Sequence, residues 1–210
     1  MFLLVGAASA HAGLVSVTGA GQILPDASAA YAANAFNDIV AIVNAWNEKQ
    51  DQTLSADLRV DAFGVPGTYG VSNAANLTIA AGTMVDSHYF YFDPKNTKSV
   101  GTNANNQVTF GFDQKILGLI YTSTSNANSK LKDSDHLILV GSSPGHFNAR
   151  GFESGDDFVT VIDPYTISFK LTASSPGDQI RVVTEAVPEP GTMAALALGA
   201  AGILRRRRKA

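Results

Sequence analysis

Between residues 53 and 184, short apolar runs alternate with clusters of Gly, Asn, Asp and Ser, the spacing expected of antiparallel strands joined by turns. Runs rich in Val, Ile, Thr, Phe and Tyr predict strands at 53–62, 76–80, 84–92, 107–112, 115–121, 136–140, 157–162, 166–172 and 179–184. The pattern predicts a mainly β fold: an antiparallel β-sandwich or jelly-roll-like single domain over residues 13–186. Within 84–92, Val85, Ser87, Tyr89 and Tyr91 share one face, and Asp86, His88, Phe90 and Phe92 share the other. Both faces carry aromatics, so this strand is expected to be buried on both sides or to cross a sheet edge. Asp93-Pro94 should end it, because proline lacks a ladder donor. Runs 107–112 and 115–121, joined through Asp113-Gln114, read as a hairpin.

Residues 27–50 fit two patterns at once. Phe36, Ile39, Val40, Val43 and Trp46 recur at helical spacing, whereas Val40, Ile42, Asn44 and Trp46 keep a period of two. Alanine favours helix as far as Asn37. Beyond it the expectation is a strand over 39–48, with a helix through Trp46 as the competing reading.

The two ends follow different patterns. Phe2 to Ala8 is apolar and runs into Ala10-His11-Ala12, a small-x-small pattern that predicts a signal peptide over residues 1–12 with cleavage after Ala12. No Lys or Arg precedes the apolar run, as expected if the start lies inside a longer signal sequence; a plain buried strand is the alternative. Near the other end, Val187-Pro188-Glu189-Pro190 precedes an uncharged Ala/Leu/Gly stretch over 191–204 and then Arg205, Arg206, Arg207, Arg208 and Lys209. Two prolines two apart hold the chain extended around Glu189. A helix over 191–204 would be roughly 21 Å long at ~1.5 Å per residue, short of the ~30 Å hydrocarbon core. The expectation is a short transmembrane helix serving as a marginal anchor, with the arginines snorkelling to the interface and holding that end in the cytoplasm.

Charge sharpens this division. The whole chain carries a formal −3, but residues 13–187 contain ten basic and seventeen acidic side chains, a net of −7. A domain of that sign is expected to have no nucleic-acid partner. The chain contains no cysteine, which removes disulfide frameworks and thiolate metal sites.

Candidate chemistry is sparse. His88, His136 and His146 form no H-x-x-x-H or H-E-x-x-H pattern, and His88 among aromatic neighbours reads as a buried core histidine. No G-x-S-x-G is present, and the glycines at 64, 67 and 70 lack a P-loop lysine. Asp133 with Asp135, and Glu153 with Asp156 and Asp157, are carboxylate clusters at which oxygen ligands could converge on Ca²⁺, although no D-x-D-x-D-G loop accompanies them.

The order Val187-Pro188-Glu189-Pro190, short Ala/Leu/Gly helix and arginine cluster resembles the PEP-CTERM sorting signal of Gram-negative bacteria. The resemblance implies recognition of Pro188, Glu189 and Pro190 by exosortase, an integral-membrane cysteine peptidase, during transit through the inner membrane. The alternative is an ordinary tail anchor. The stretches 85–94 and 108–120 also resemble an ectodomain type often joined to such tails, which implies a β fold and no activity. The expected protein is therefore exported to the cell surface or extracellular matrix, structural or adhesive, with exosortase, the inner membrane in transit and exopolysaccharide as expected partners, and not an enzyme. A carbohydrate- or calcium-binding module is the alternative, and a secreted hydrolase a third.

Overall fold

The computed structural model describes residues 13–25, 31–32, 34–122, 129–140, 142, 150–153, 155–174 and 176–186. Its strands are β1 (Leu14–Gly19), β2 (Gly21–Ile23), β3 (Val43–Asn47), β4 (Gln52–Thr53), β5 (Leu58–Val60), β6 (Ala62–Phe63), β7 (Gly67–Tyr69), β8 (Leu77–Ile79), β9 (Met84–Phe92), β10 (Lys98–Val100), β11 (Val108–Phe112), β12 (Ile116–Ile120), β13 (Phe158–Asp163), β14 (Thr166–Ala173) and β15 (Asp178–Glu185). One short helix, α1 (Lys130–Asp133), precedes a 3₁₀ turn at Asp135–Leu137. The protein is mainly β and mainly antiparallel.

A six-stranded sheet runs β1-β11-β14-β13-β7, with β10 also on β14; a seven-stranded sheet runs β2-β3-β9-β15-β12-β6, with β4 also on β9. A separate ladder pairs β5 with β8. The two large sheets face each other across a core in which Phe90 stands 5.0 Å from Phe110 and 5.1 Å from Phe169. Val43, Ile180 and Val182 from one sheet, and Val108, Val159 and Ile167 from the other, complete that core. Strand β9 lies between β3 and β15 and is buried on both faces, because its odd-numbered residues Val85, Tyr89 and Tyr91 enter a second core with Tyr31, Trp46 and Leu131. The strand ends at Phe92 as its proline predicts, and the Asp93 carboxylate fastens the segment before β3 by accepting from the Phe36 and Asn37 amides at 3.0 Å each.

Four expectations need correction. Runs 107–112 and 115–121 do not form a hairpin, because β11 belongs to the six-stranded sheet and β12 to the seven-stranded one. The three residues between them carry the chain across the core, and the Phe112 and Ile116 amides donate to the carbonyls of Tyr165 and Pro164. Residues 136–140 are not a strand: Ser129 caps α1, and Leu131 and Leu137 plug the second core from a helical segment. Residues 53–62 are not one strand either, since β4, β5 and β6 pair in turn with β9, β8 and β12. Finally, the alanine-rich stretch is not helical where it is described: Asn34 (φ 60°) and Asn37 (φ 47°) are left-handed, which interrupts a right-handed helix. The strand reading beyond it holds, shortened to β3. One pair, β2 with β3, is parallel.

Strands β1, β2, β7 and β10 were not expected from the pattern. Strand β1 begins just after Gly13, a buried glycine whose amide donates to Asp113 Oδ1 at 2.7 Å. A side chain on Gly13 would run into the Asn47 amide. The expected signal segment and anchor helix lie outside the described residues; among the described residues, no helix is long and apolar enough to cross a membrane.

Candidate functional site

The outer face of the seven-stranded sheet carries buried charge. Arg181, on the second-core face of β15, makes a fork to Glu48, with Nε to Oε2 at 2.5 Å and Nη2 to Oε1 at 2.9 Å. Its Nη1 reaches Leu131 O at 3.1 Å and Ser134 Oγ, tying the sheet to the helical segment above it. Arg150 pairs with both oxygens of Asp135, at 2.7 and 2.9 Å, and donates to Gln179 and Tyr89. A further carboxylate, Asp61, is fully buried and accepts from the Tyr121 and Thr122 amides, the Thr122 hydroxyl and Lys130 Nζ. Each of these carboxylates faces a cation, so their charges are satisfied in place. Ser87 donates to Glu48 at 2.5 Å, a serine–carboxylate pair wholly enclosed by the sheet and its cover.

His88 is equally enclosed. Its Nδ1 lies 2.8 Å from Asn47 Oδ1 and its Nε2 lies 2.9 Å from Thr184 Oγ1. Asn47 Oδ1 also accepts from the Leu14 amide, so Nδ1 carries the proton and Nε2 accepts from the threonine. Burial lowers its pKa to about 3, holding the ring neutral. His136 is exposed beside the Asp133 carbonyl. His88 and His136 thus stand apart, one sealed in the core and one on the surface.

The calcium candidates separate in the same way. Asp133 pairs with Arg59 at the surface and Asp135 with Arg150, so neither is available to gather a cation. Glu153 and Asp157 instead line one cleft of about 260 Å³, together with Thr97, Thr172, Ser174 and Asp178. Asp156 is exposed and does not line it. Asp178 was missed by sequence reasoning, because it reads as the polar start of a strand. Among the described residues, no three His, Asp or Glu side chains converge tightly enough to form a ready metal cage.

A second surface feature lies on the open face of the six-stranded sheet. Thr18 pairs with Thr109, Thr109 with Ser168, Ser168 with Thr160, and Thr160 with Thr68. This row of hydroxyls crosses five strands, about 19 Å at the usual strand spacing. Thr68 and Thr160 hydroxyls lie 3.0 Å apart, and Lys170 Nζ sits 5.4 Å from the Phe158 ring in the adjacent row. Cross-strand register makes the row, so it was not visible in any single segment.

Pro188, Glu189, Pro190, Arg205, Arg206, Arg207 and Arg208, as well as Ala10, Ala12 and His146, lie outside the described residues. No curated protein and no solved structure matches the chain. A protein-family model does match, over residues 186–209, and its description is the PEP-CTERM protein-sorting motif. The match spans the three parts read from the residues, namely Pro-Glu-Pro, the short apolar stretch and the arginine cluster. The chain therefore carries the PEP-CTERM sorting motif that marks an exosortase substrate for export through the membrane toward the cell surface.

Proposed function

We propose that this is a structural or adhesive protein of the cell surface or extracellular matrix, delivered after residues 1–12 are removed and an exosortase processes the tail. The observation that carries this reading is the sorting motif at residues 186–209. Pro188, Glu189 and Pro190 are the recognition elements, two prolines favouring an extended chain around the glutamate. The apolar stretch over 191–204 retains the protein briefly in the inner membrane, with the arginines on the cytoplasmic side. A non-catalytic role agrees with the enclosure of Ser87, Glu48 and His88, which leaves them no route to a substrate.

Mass spectrometry of the mature protein, from a host with and without its exosortase, tests the reading. Cleavage near Glu189 only when the exosortase is present is the expected result. Replacing Pro188, Glu189 and Pro190 with alanine should leave unprocessed protein in the inner membrane; normal surface delivery of that variant would refute the assignment.

A second reading, a carbohydrate-binding surface module, is favoured by the hydroxyl row beside Phe158. Such a row offers donors and acceptors at regular spacing to a neutral polysaccharide, and the ring offers a stacking surface. Retention on a glycan array without bond cleavage, reduced several-fold in a Thr160→Val, Ser168→Ala variant, is expected. Equal retention by the variant would rule it out.

A further inference from the structure

Glu48 and Asp61 are buried against Arg181 and Lys130, whereas the buried Asp178 has no such cation among the described residues. Asp178 opens β15, is 4% exposed, and its Oδ2 has no hydrogen-bond donor among the described residues. It lines the 260 Å³ cleft, and the other charged residues there, Asp157 and Glu153, have the same sign. Among the described residues, no Lys or Arg lines that cleft.

The placement is held by main chain on both sides. Asp178 pairs with Phe92 across the seven-stranded sheet. The turn before it uses Gly177 at φ +67°, where a side chain would strike the Phe92 carbonyl. Asp157 immediately precedes β13 in the six-stranded sheet, and its Oδ1 accepts from the Thr172 amide at 2.9 Å. The two carboxylates thus come from different sheets and meet at one cleft.

We propose that this cleft is a divalent-cation site of the calcium class, built on Asp157 and Asp178, with Glu153 adding negative charge at its mouth. A hard cation supplies the positive partner that an arginine supplies elsewhere in this domain. Calcium accepts six to eight oxygens and does not require three preassembled carboxylates, since hydroxyls, carbonyls and water complete its shell. The polar residues lining the cleft, Thr97, Thr172 and Ser174 besides the acids, offer only oxygen side-chain donors. Bound there, the ion ties the start of β15 to the start of β13. Burial and then the Asp157 and Glu153 charges raise the Asp178 pKa well above the ordinary carboxylate value.

The test is thermal unfolding of the EDTA-treated full chain at pH 7.5, titrated with calcium chloride. The midpoint should rise by roughly 5 °C at millimolar calcium, and not in Asp178→Asn. Asp133→Asn should keep the full response. In calcium-free buffer Asp178→Asn should unfold at a higher temperature than the unaltered chain, which shows that the variant folds. The proposal is overturned by an unaltered chain indifferent to 5 mM calcium, or by an Asp178→Asn variant that responds in full. Either result leaves the sorting reading standing, because that depends on residues 186–209 alone.

Discussion

The two faces of the seven-stranded sheet are buried by opposite means. Toward the facing sheet, Phe90, Phe92, Val43, Ile180 and Val182 pack against Phe110, Phe169 and Ile167, and apolar area removed from water provides the stabilisation. On the other side, Trp46, Tyr89 and Tyr91 are interleaved with Glu48, Arg181 and Gln179, and the cover is an irregular segment that relies on hydrogen bonds. Trp46 Nε1 donates to Tyr31 at 3.0 Å, and Arg181 lies 5.0 Å from the Tyr89 ring, so even the aromatics have polar partners there. Apolar packing tolerates many combinations of side chains of the right volume. A buried charge network tolerates few, because one deletion strands its partner.

That contrast can be broken from either side. Phe90→Ala should cost about 3–5 kcal/mol by leaving a cavity between the sheets, measured by urea unfolding at pH 7. Glu48→Ala should cost about as much, 3–5 kcal/mol, by stranding Arg181. The two then diverge on repair. Glu48→Met with Arg181→Leu should recover most of the loss, roughly to within 1 kcal/mol of the original. Failure of the double variant to recover would mean that the network does more than balance its own charges.

Smaller effects sharpen the same point. His88 is neutral in the folded protein and has a folded pKa of about 3 against 6.5 in the unfolded chain. Between those values the unfolded state binds the extra proton, so stability should fall as pH drops from 6.5 toward 3, by at most about 1.4 kcal/mol per pH unit. His88→Gln should flatten that part of the pH profile, and an unchanged profile would show that His88 is not its source. Last, Arg59→Ala removes an exposed pair with Asp133 and should change stability by less than about 1 kcal/mol.

The same contrast governs what could be read from the residues. Strand β9 was legible to the residue because its alternation carries aromatics on both faces and a proline closes it. The core strands β11 to β15 were also found within a residue or two. Their partners were not, since Asp113-Gln114 suits a tight turn equally well whether the chain folds back or crosses to the opposite sheet. Residues 136–140 look like a strand because Leu137, Ile138 and Leu139 are consecutive and apolar; tertiary burial of Leu131 and Leu137 decides for a helical turn. The sorting tail was legible because its three parts are contiguous. The carboxylate cleft was half legible: Glu153 and Asp157 are neighbours in sequence, whereas Asp178 joins them only through the fold.

The contact between Gly13 and Asp113 takes on a second meaning if the leader is cut where its small residues indicate. Hydrolysis of the bond before Gly13 would turn a neutral amide donor, 2.7 Å from a carboxylate, into an ammonium in the same place. The first strand would then be fastened by an ion pair that the precursor lacks, making the released domain tighter than the one still attached to its leader. Asp113→Asn should therefore lower the unfolding temperature of the trimmed protein more than that of the precursor.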